Sequence, residues 1–386
     1  MAFFRNDAVN RVNLHSGVHA LAQAGGGVFF LVFLLRAGVS IPVALLAQAA
    51  IMAGRFVLRP LILPLAKRWG IKPLVIAGTL VLALQYPILA EVRGVGATLL
   101  TLCVVTAIGE ILYWPSYNAY FAAVGDAEHR GHQISAREAL VAVVGIVAPL
   151  MGAWALVTMG PRPMFAAVGL IQALSALPLI GAPNVAVKAS APGAFRAARL
   201  GVALSGADGW FDAWFIVVWQ IALFVSLGQS LSAYGGAMAL AALVGAVLGL
   251  LLGRHVDAGH GRRAVAIAYT VVAGVVLMRA ASFGSPWLAV AANALGPLMF
   301  ALLSPALGTA NYNLAKASPC PIRFLIAAEA GWDTGCFTAC MVGAGLAALG
   351  VPLALTLLLA LPAALAQAML LRGYYGRIGA VAPAGG

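Results

Sequence analysis

The stretch GRHVDAGHGRR, residues 253–263, decides how this chain folds. It is short, carries Arg254, Asp257, Arg262 and Arg263, and lies between two apolar runs. A weaker copy, AKRWGIK at residues 66–72, lies about 190 residues earlier, again between apolar runs, with Lys67, Arg68 and Lys72. A shift of 191 lays Gly70 on Gly261 and Glu138 on Glu329, and a shift of 190 lays Pro115 on Pro305. A shift of 193 lays His15 on Asp208 and His19 on Asp212. Self-similarity at this scale reads as one unit built twice.

The composition says what the unit is made of. The chain has 386 residues, 63% of them hydrophobic and 9% charged, where a soluble domain carries about 25% charged residues. Windows of roughly 20 apolar residues, enough to cross a bilayer as a helix, recur throughout. Polar, Pro and Gly punctuation predicts twelve spans: 13–35, 40–66, 73–90, 96–124, 134–159, 163–181, 200–227, 230–253, 264–281, 285–315, 323–348 and 351–371. The basic start, MAFFRNDAVNR, runs into a full span and is expected to stay on the chain rather than leave with a signal peptide. The expected organisation is a six-helix bundle over 1–181, a linker over 182–198, and a second bundle over 199–386.

Lysine and arginine concentrate on the cytoplasmic side of membrane proteins. With both termini cytoplasmic, 19 basic residues fall on the inner side, Arg55 and Arg59 of span 2 among them, and four (Arg36, Arg93, Arg162, Arg279) on the outer. The net charge of +12 is therefore a topology signal, and no nucleic-acid partner is expected. The four cysteines, Cys103, Cys320, Cys336 and Cys340, lie in or beside apolar segments and form no disulfide framework.

In length, topology and loop placement the chain resembles the major facilitator superfamily. The stretch 253–263 is similar to the family's loop signature between spans 8 and 9, with one extra residue before the final Gly-Arg-Arg. GIVAPLMGA, residues 145–153, resembles the antiporter signature of span 5, with Ala148 and Ala153 in place of two glycines. The resemblance implies an all-α protein of twelve transmembrane helices in two pseudo-symmetric bundles. It also implies a central cavity lined by spans 1, 4, 7 and 10, and alternating access. Small residues let membrane helices approach closely: Gly245, Gly249 and Gly253 form such a stripe on span 8, and Gly145, Pro149 and Gly152 of span 5 are its candidate partner.

Six acidic residues fall at membrane depth, where an ionisable group is a functional hypothesis: Glu110, Glu138, Asp208, Asp212, Glu329 and Asp333. Glu110, central in span 4 without an acidic mate in span 10, reads as a proton carrier or substrate contact, or as a protonated acid bonded to a neighbouring helix. Asp208 and Asp212 share a face of span 7; their counterparts on span 1 are His15 and His19, read as a pH-sensitive element of an inward-facing vestibule. Glu329, Asp333, Cys336 and Cys340 share a face of span 11, and Asp333, deeper in the span, reads with Glu110 as the more central candidate for proton or substrate work, ahead of Asp208, Asp212, His15 and His19. Glu138 and Glu329, with Asp257, Arg262, Arg263, Lys67 and Arg68, are assigned to gating or structural ion pairs. Trp114, Tyr117, Asn118, Trp210, Trp214, Asn311 and Trp332 are the expected cavity lining.

These residues point to a secondary transporter of a small organic solute in a cell membrane, a bacterial inner membrane by expectation. Protons are the expected coupling ion, and span 5 leans the direction towards export by antiport. A divalent-metal or metal-chelate cargo is an alternative, since imidazole, thiolate and carboxylate all bind such ions. A membrane sensor or assembly factor on the same scaffold is another. No P-loop, zinc-protease or nucleophile-elbow motif is present, so no enzyme is expected. The remaining expectations are no cofactor, no resident metal, the lipid bilayer as surroundings, and a monomer.

Overall fold

The computed structural model describes residues 6–124, 130–187, 190–252 and 261–381, with side chains described except at 122, 130–139, 249–252, 261–264, 300, 301, 304, 305 and 377–381. Asp257 lies outside the described residues, as do the side chains of Glu138, Arg262 and Arg263.

Among the described residues twelve long helical segments follow one another, with a short helix at Ala194–Ala197 between the sixth and seventh, and every predicted span overlaps one of the twelve. They are α1 (Asp7–Arg36), α2 (Ile41–Trp69), α3 (Ile71–Ala90), α4 (Ala97–Val124), α5 (Arg130–Thr158) and α6 (Pro161–Ile180) in the first half. The second half holds α7 (Arg199–Ser226), α8 (Leu231–Leu252), α9 (Gly261–Ser282), α10 (286–317), α11 (Pro321–Ala348) and α12 (353–381). Among the described residues, ten of the segments are long and apolar enough to cross a membrane by length and composition; α10 and α11 are not among the ten. In α11 the apolar run is diluted by Arg323, Glu329 and Asp333.

A membrane helix satisfies its own backbone, and breaks survive where neighbours cover the freed groups; short turns interrupt α6, α10 and α12 at 175–176, 295–296 and 358–359. Pro87, Pro115 and Pro149 sit inside α3, α4 and α5. α7 contains a π-helical turn at Ala213–Val218, a widened turn that leaves backbone groups for other partners. The carbonyl of Phe215 there accepts from Arg279 of α9, whose guanidinium lies 3.8 Å from the Phe215 ring centroid and 4.7 Å from that of Trp219. Arg279, counted at sequence level with the outer loops, is thus buried within the second half.

Lipid is as apolar as leucine, so close packing rather than water exclusion brings these helices together. Each half uses the same device. α1 lies on α5 so tightly that a Cβ at Gly152 would overlap the Gly25 carbonyl, and α7 lies on α11 so tightly that a Cβ at Gly335 would overlap the Gly206 carbonyl. Between the halves α2 packs on α11 and α5 on α8. The α5–α8 contact uses Gly145 against Ala242, and Gly235 against Ala153 and the Pro149 carbonyl. The expected stripe on span 8 is therefore corrected in part. Gly245 packs on Pro297 of α10, and Gly152 turns to α1 while the adjacent Ala153 meets Gly235 of α8; Gly253 lies outside the described residues.

The halves meet at both ends. At the end carrying the termini, Ile322 and Ile326 of α11 pack against a cluster holding Ile62, Ala66 and Leu74 of the first half. At the opposite end Tyr234 of α8 stacks edge-on against Phe29 of α1 and donates to the Val28 carbonyl at 3.1 Å.

Candidate functional site

Two arginines one helical turn apart anchor the site. Arg55 and Arg59 of α2 are 5% and 4% exposed. A guanidinium stays charged under all conditions a protein meets, and a buried charge must be paired. Arg55 Nη1 donates to Glu110 Oε2 of α4 at 2.8 Å, and its Nη2 lies 2.9 Å from Asp333 Oδ1 of α11. Arg59 pairs through Nη2 with the other oxygen of Asp333; its Nη1 reaches the Ile326 carbonyl at 3.3 Å and Glu329 Oε2 at 3.4 Å. Asn118 of α4 donates to the remaining oxygen of Glu329 at 3.2 Å. Asp333 is fully buried and takes both arginines.

The cluster crosses the molecule. Arg55, Arg59, Glu110 and Asn118 belong to the first half, and Glu329 and Asp333 to the second. Two guanidinium groups face three carboxyl groups, so full ionisation leaves one uncompensated negative charge. An unpaired ion inside a protein costs several kcal/mol. A proton on one of the three carboxyl groups, or a cation nearby, removes that cost.

A second carboxyl pair stands on α7. Asp208 accepts from Gln367 Nε2 of α12 at 2.8 Å, and Gln367 Oε1 accepts from Tyr269 of α9 at 3.1 Å. Asp212 accepts from Trp332 Nε1 of α11 at 3.2 Å. Among the described residues neither aspartate forms an ion pair. Both are half-buried.

His15 and His19 are placed differently. His15 is fully buried and His19 is 6% exposed. His15 Nδ1 lies 2.7 Å from the Ser175 carbonyl of α6, and Nε2 lies 3.0 Å from the Tyr113 hydroxyl of α4. A carbonyl only accepts, so Nδ1 carries the hydrogen and, in the neutral ring, Nε2 accepts from Tyr113. His19 Nδ1 accepts from Gln172 Nε2 of α6 at 2.9 Å, and its ring stacks on Tyr113 at 4.5 Å. The pair is enclosed within the first half between α1, α4 and α6. Periodicity gave its face but not the identity of the helix covering that face.

The other expected lining residues divide in the same way. Tyr117 bonds Ser16 and stacks on Tyr113 at 5.4 Å, and Trp114 meets His19 edge-on. Trp210 donates to the Leu359 carbonyl at 2.9 Å, and Trp214 is fully buried. Asn311 is half-buried on α10, and Lys67 and Arg68 are exposed at the end of α2. A groove of about 510 Å³ beside Phe56, Val202, Trp210 and Thr334 contains none of the carboxylates. Among the described residues, no group of three or more His, Cys, Asp or Glu is placed to hold a metal ion.

At the level of sequence Arg55 and Arg59 read only as topology charges. Their signal was present: two arginines four residues apart inside an apolar span, with carboxylates at membrane depth to receive them. Gln172 and Gln367 join the site only through the packing of their helices. They hold corresponding places in α6 and α12, each bonded to one of the symmetry-related pairs.

Residues 16–205 match the family model described as Major Facilitator Superfamily. No curated protein matches the chain. Similar solved structures include an auto-inhibited POT family peptide transporter, with 15% identity, a TM-score of 0.66, and 96% of each chain covered. The POT family transporter PepTSo shares 12% identity, with a TM-score of 0.66 over 97% of this chain and 99% of that one. The human organic anion transporter MFSD10 (TETRAN) shares 16% identity, with a TM-score of 0.70 over 95% and 99%. At these identities the likeness to the solved structures is one of fold.

Proposed function

By family model over residues 16–205 and by fold along its length, the chain is a major facilitator superfamily secondary transporter, and from that premise we propose that it is coupled to protons and carries a small organic solute. One observation carries this reading: the cluster of two arginines and three carboxyl groups that joins the halves. We take the moving units to be residues 1–181 and 199–386, joined by 182–198. Both termini are cytoplasmic, and the membrane is a bacterial inner membrane.

Opening the termini-facing side requires α11 to leave α2. That breaks Arg55–Asp333, Arg59–Asp333 and Arg59–Glu329 together, and each freed group then needs a new partner. A proton on Asp333 or Glu329 weakens its hold on the arginines and lowers the cost of separation. Glu110, already on Arg55 within the first half, stays with it as a fixed counter-charge. Proton uptake thus biases one two-state element, and solute binding between the halves biases the same element. An organic cargo is in keeping with the structural neighbours, which transport peptides and organic anions by their own descriptions. The seating of α5 on α8 around Pro149 and Gly145 supports a lean towards export by antiport.

The test is a screen in proteoliposomes loaded with a pH-sensitive dye. Panels of short peptides, organic anions and organic cations are added outside, and solute-dependent proton movement is recorded. At least one class should move protons through the wild-type protein, and Asp333→Asn should abolish that signal. No solute-dependent proton movement in any class, or an unchanged signal in the variant, would overturn the reading.

A further inference from the structure

One side chain touches both carboxyl systems. Trp332 of α11 donates its indole N–H to Asp212 at 3.2 Å, and its ring face lies 5.3 Å from the Arg55 guanidinium carbon. Arg55 is at the same time bound to Glu110 and Asp333. The Trp332 backbone has no room to slide, because a Cβ at Gly209 of α7 would already overlap its carbonyl. Any response of Trp332 to its surroundings must therefore be a movement of the ring.

We infer that Trp332 is a positioning residue that transmits the protonation state of Asp212 on α7 to the Arg55 ion pairs between the halves. The inference rests on the proton-coupled reading above. An ionised Asp212 is an acceptor only and binds the indole N–H in a charge-assisted bond. That bond fixes the ring edge, and the ring face then lies against Arg55, a favourable place for a guanidinium. A proton on Asp212 leaves a weaker, neutral acceptor. The ring is released, and Arg55 loses one of its two contacts with the second half, keeping only Asp333. The pathway ends on α2, the helix whose separation from α11 opens the molecule.

The groups that can bear on Asp212 and the ring are few. From α7 there is Asp208, one turn away and held by Gln367 of α12, which Tyr269 of α9 also contacts. From α11 there are Asp333 on Arg55 and the buried thiol of Cys336, one helical turn beyond Trp332. From α2 there is Arg55, and behind it Glu110 of α4.

The test reads the separation of the halves directly and needs no solute. Lys67 and Lys316 are exposed on the two halves, and the four native cysteines are buried. Spin labels on Lys67→Cys and Lys316→Cys report the distance across the termini-facing end in nanodiscs between pH 5 and 8.5. The wild-type background should show a pH-dependent change in that distance. Trp332→Phe keeps a ring for Arg55 but removes the N–H, and should shift the midpoint by about one pH unit or more, a tenfold change in the equilibrium. Asp212→Asn should shift the midpoint in the same way while leaving the response of Asp333 and Glu329, and adding Trp332→Phe to it should change nothing further.

A Trp332→Phe midpoint equal to the wild type would overturn the role of Trp332 while leaving proton coupling intact. A wild-type background with no pH-dependent change would overturn both. Thermal denaturation of each variant separates a loss of folding from a loss of transmission. Trp332→Tyr serves as a second variant without the indole donor, with the same expected shift.

Discussion

Two pairs of basic side chains, each with its members four residues apart, stand on neighbouring helices of the first half. His15 and His19 are on α1, and Arg55 and Arg59 on α2. Both pairs are buried. The histidines find a carbonyl, a hydroxyl and an amide, all within their own half. The arginines find three carboxyl groups, two of them in the other half. The difference lies in the chemistry of the side chains. An imidazole can lose its charge and be absorbed by neutral partners. A guanidinium cannot, so it must be placed where carboxylates are, and here two of the three lie in the other half. The histidines thus bond within one half, and the arginines pair across both.

The sharpest way to break this comparison is to remove one arginine. Arg55→Ala strands Glu110 and part of Asp333, and losing one partner of a buried pair costs about 3–5 kcal/mol. The expected result is a large fall in thermal stability in detergent and proton-driven flux reduced about 100-fold or more. Arg55→Ala with near-normal flux would remove the arginine cluster from the mechanism.

Asp208→Asn is expected to act next most strongly. It keeps an acceptor for Gln367 while removing a carboxyl group, so proton-driven accumulation should fall by about 10-fold or more while solute exchange without a gradient persists. An equal loss of both activities would make Asp208 a structural group like the histidines. His15→Gln or His19→Gln should cost about 1 kcal/mol each, the scale of one neutral hydrogen bond, with coupled flux within about threefold of normal. If either substitution abolishes coupling, the contrast drawn between the pairs fails.

The smallest effect is expected at the end opposite the termini. There Arg162 donates to both oxygens of Glu91, at 2.6 and 2.8 Å, in full contact with water. The hydrogen bond and charge of Arg162 hold the Glu91 carboxyl below its ordinary 4.5. A depressed folded-state value adds stability that is present above the unfolded value and is lost as pH falls through the folded one. Thermal denaturation should therefore show Glu91→Gln slightly less stable than the wild type near neutrality, with a shallower acid decline from pH 6 to 3 that brings the two together at the acid end. An exposed pair of this kind contributes little.

The fold was legible because its signals are long. Spans of roughly 20 residues, basic loops on one side and a repeat near 190 residues each average over many positions. Even the apolar deficit of α11 is informative, since Glu329 and Asp333, which weaken its membrane signal, are the groups that receive the arginines. The site was legible one residue at a time but not as a set. Spacing put Glu329 and Asp333 on one face, and His15 and His19 on one face, yet a face does not name its neighbour. That α6 covers the histidines, and that α2 covers the carboxylates of α11, depends on helix packing set by contacts such as Gly335 on Gly206. Arg55 and Arg59 illustrate the same limit: as charges they fit the topology count so well that their second role was hidden.

The central claim is that the pairing of Arg59 with Asp333 couples protons to the movement of the halves rather than merely holding them together. The measurement that tests it most directly compares Arg59→Gln, Asp333→Asn and the double variant in proton-driven flux and in thermal stability. Arg59→Gln leaves Glu329 without its arginine and should lose both properties, whereas Asp333→Asn leaves Arg55 with Glu110 and Arg59 with Glu329 and should lose the flux while keeping most of the stability. The double variant returns the cluster to the wild type's excess of one carboxyl group, so it should regain the stability lost in Arg59→Gln while its proton-driven flux stays at least about 10-fold below the wild type. A stable double variant with wild-type coupled flux would contradict the account.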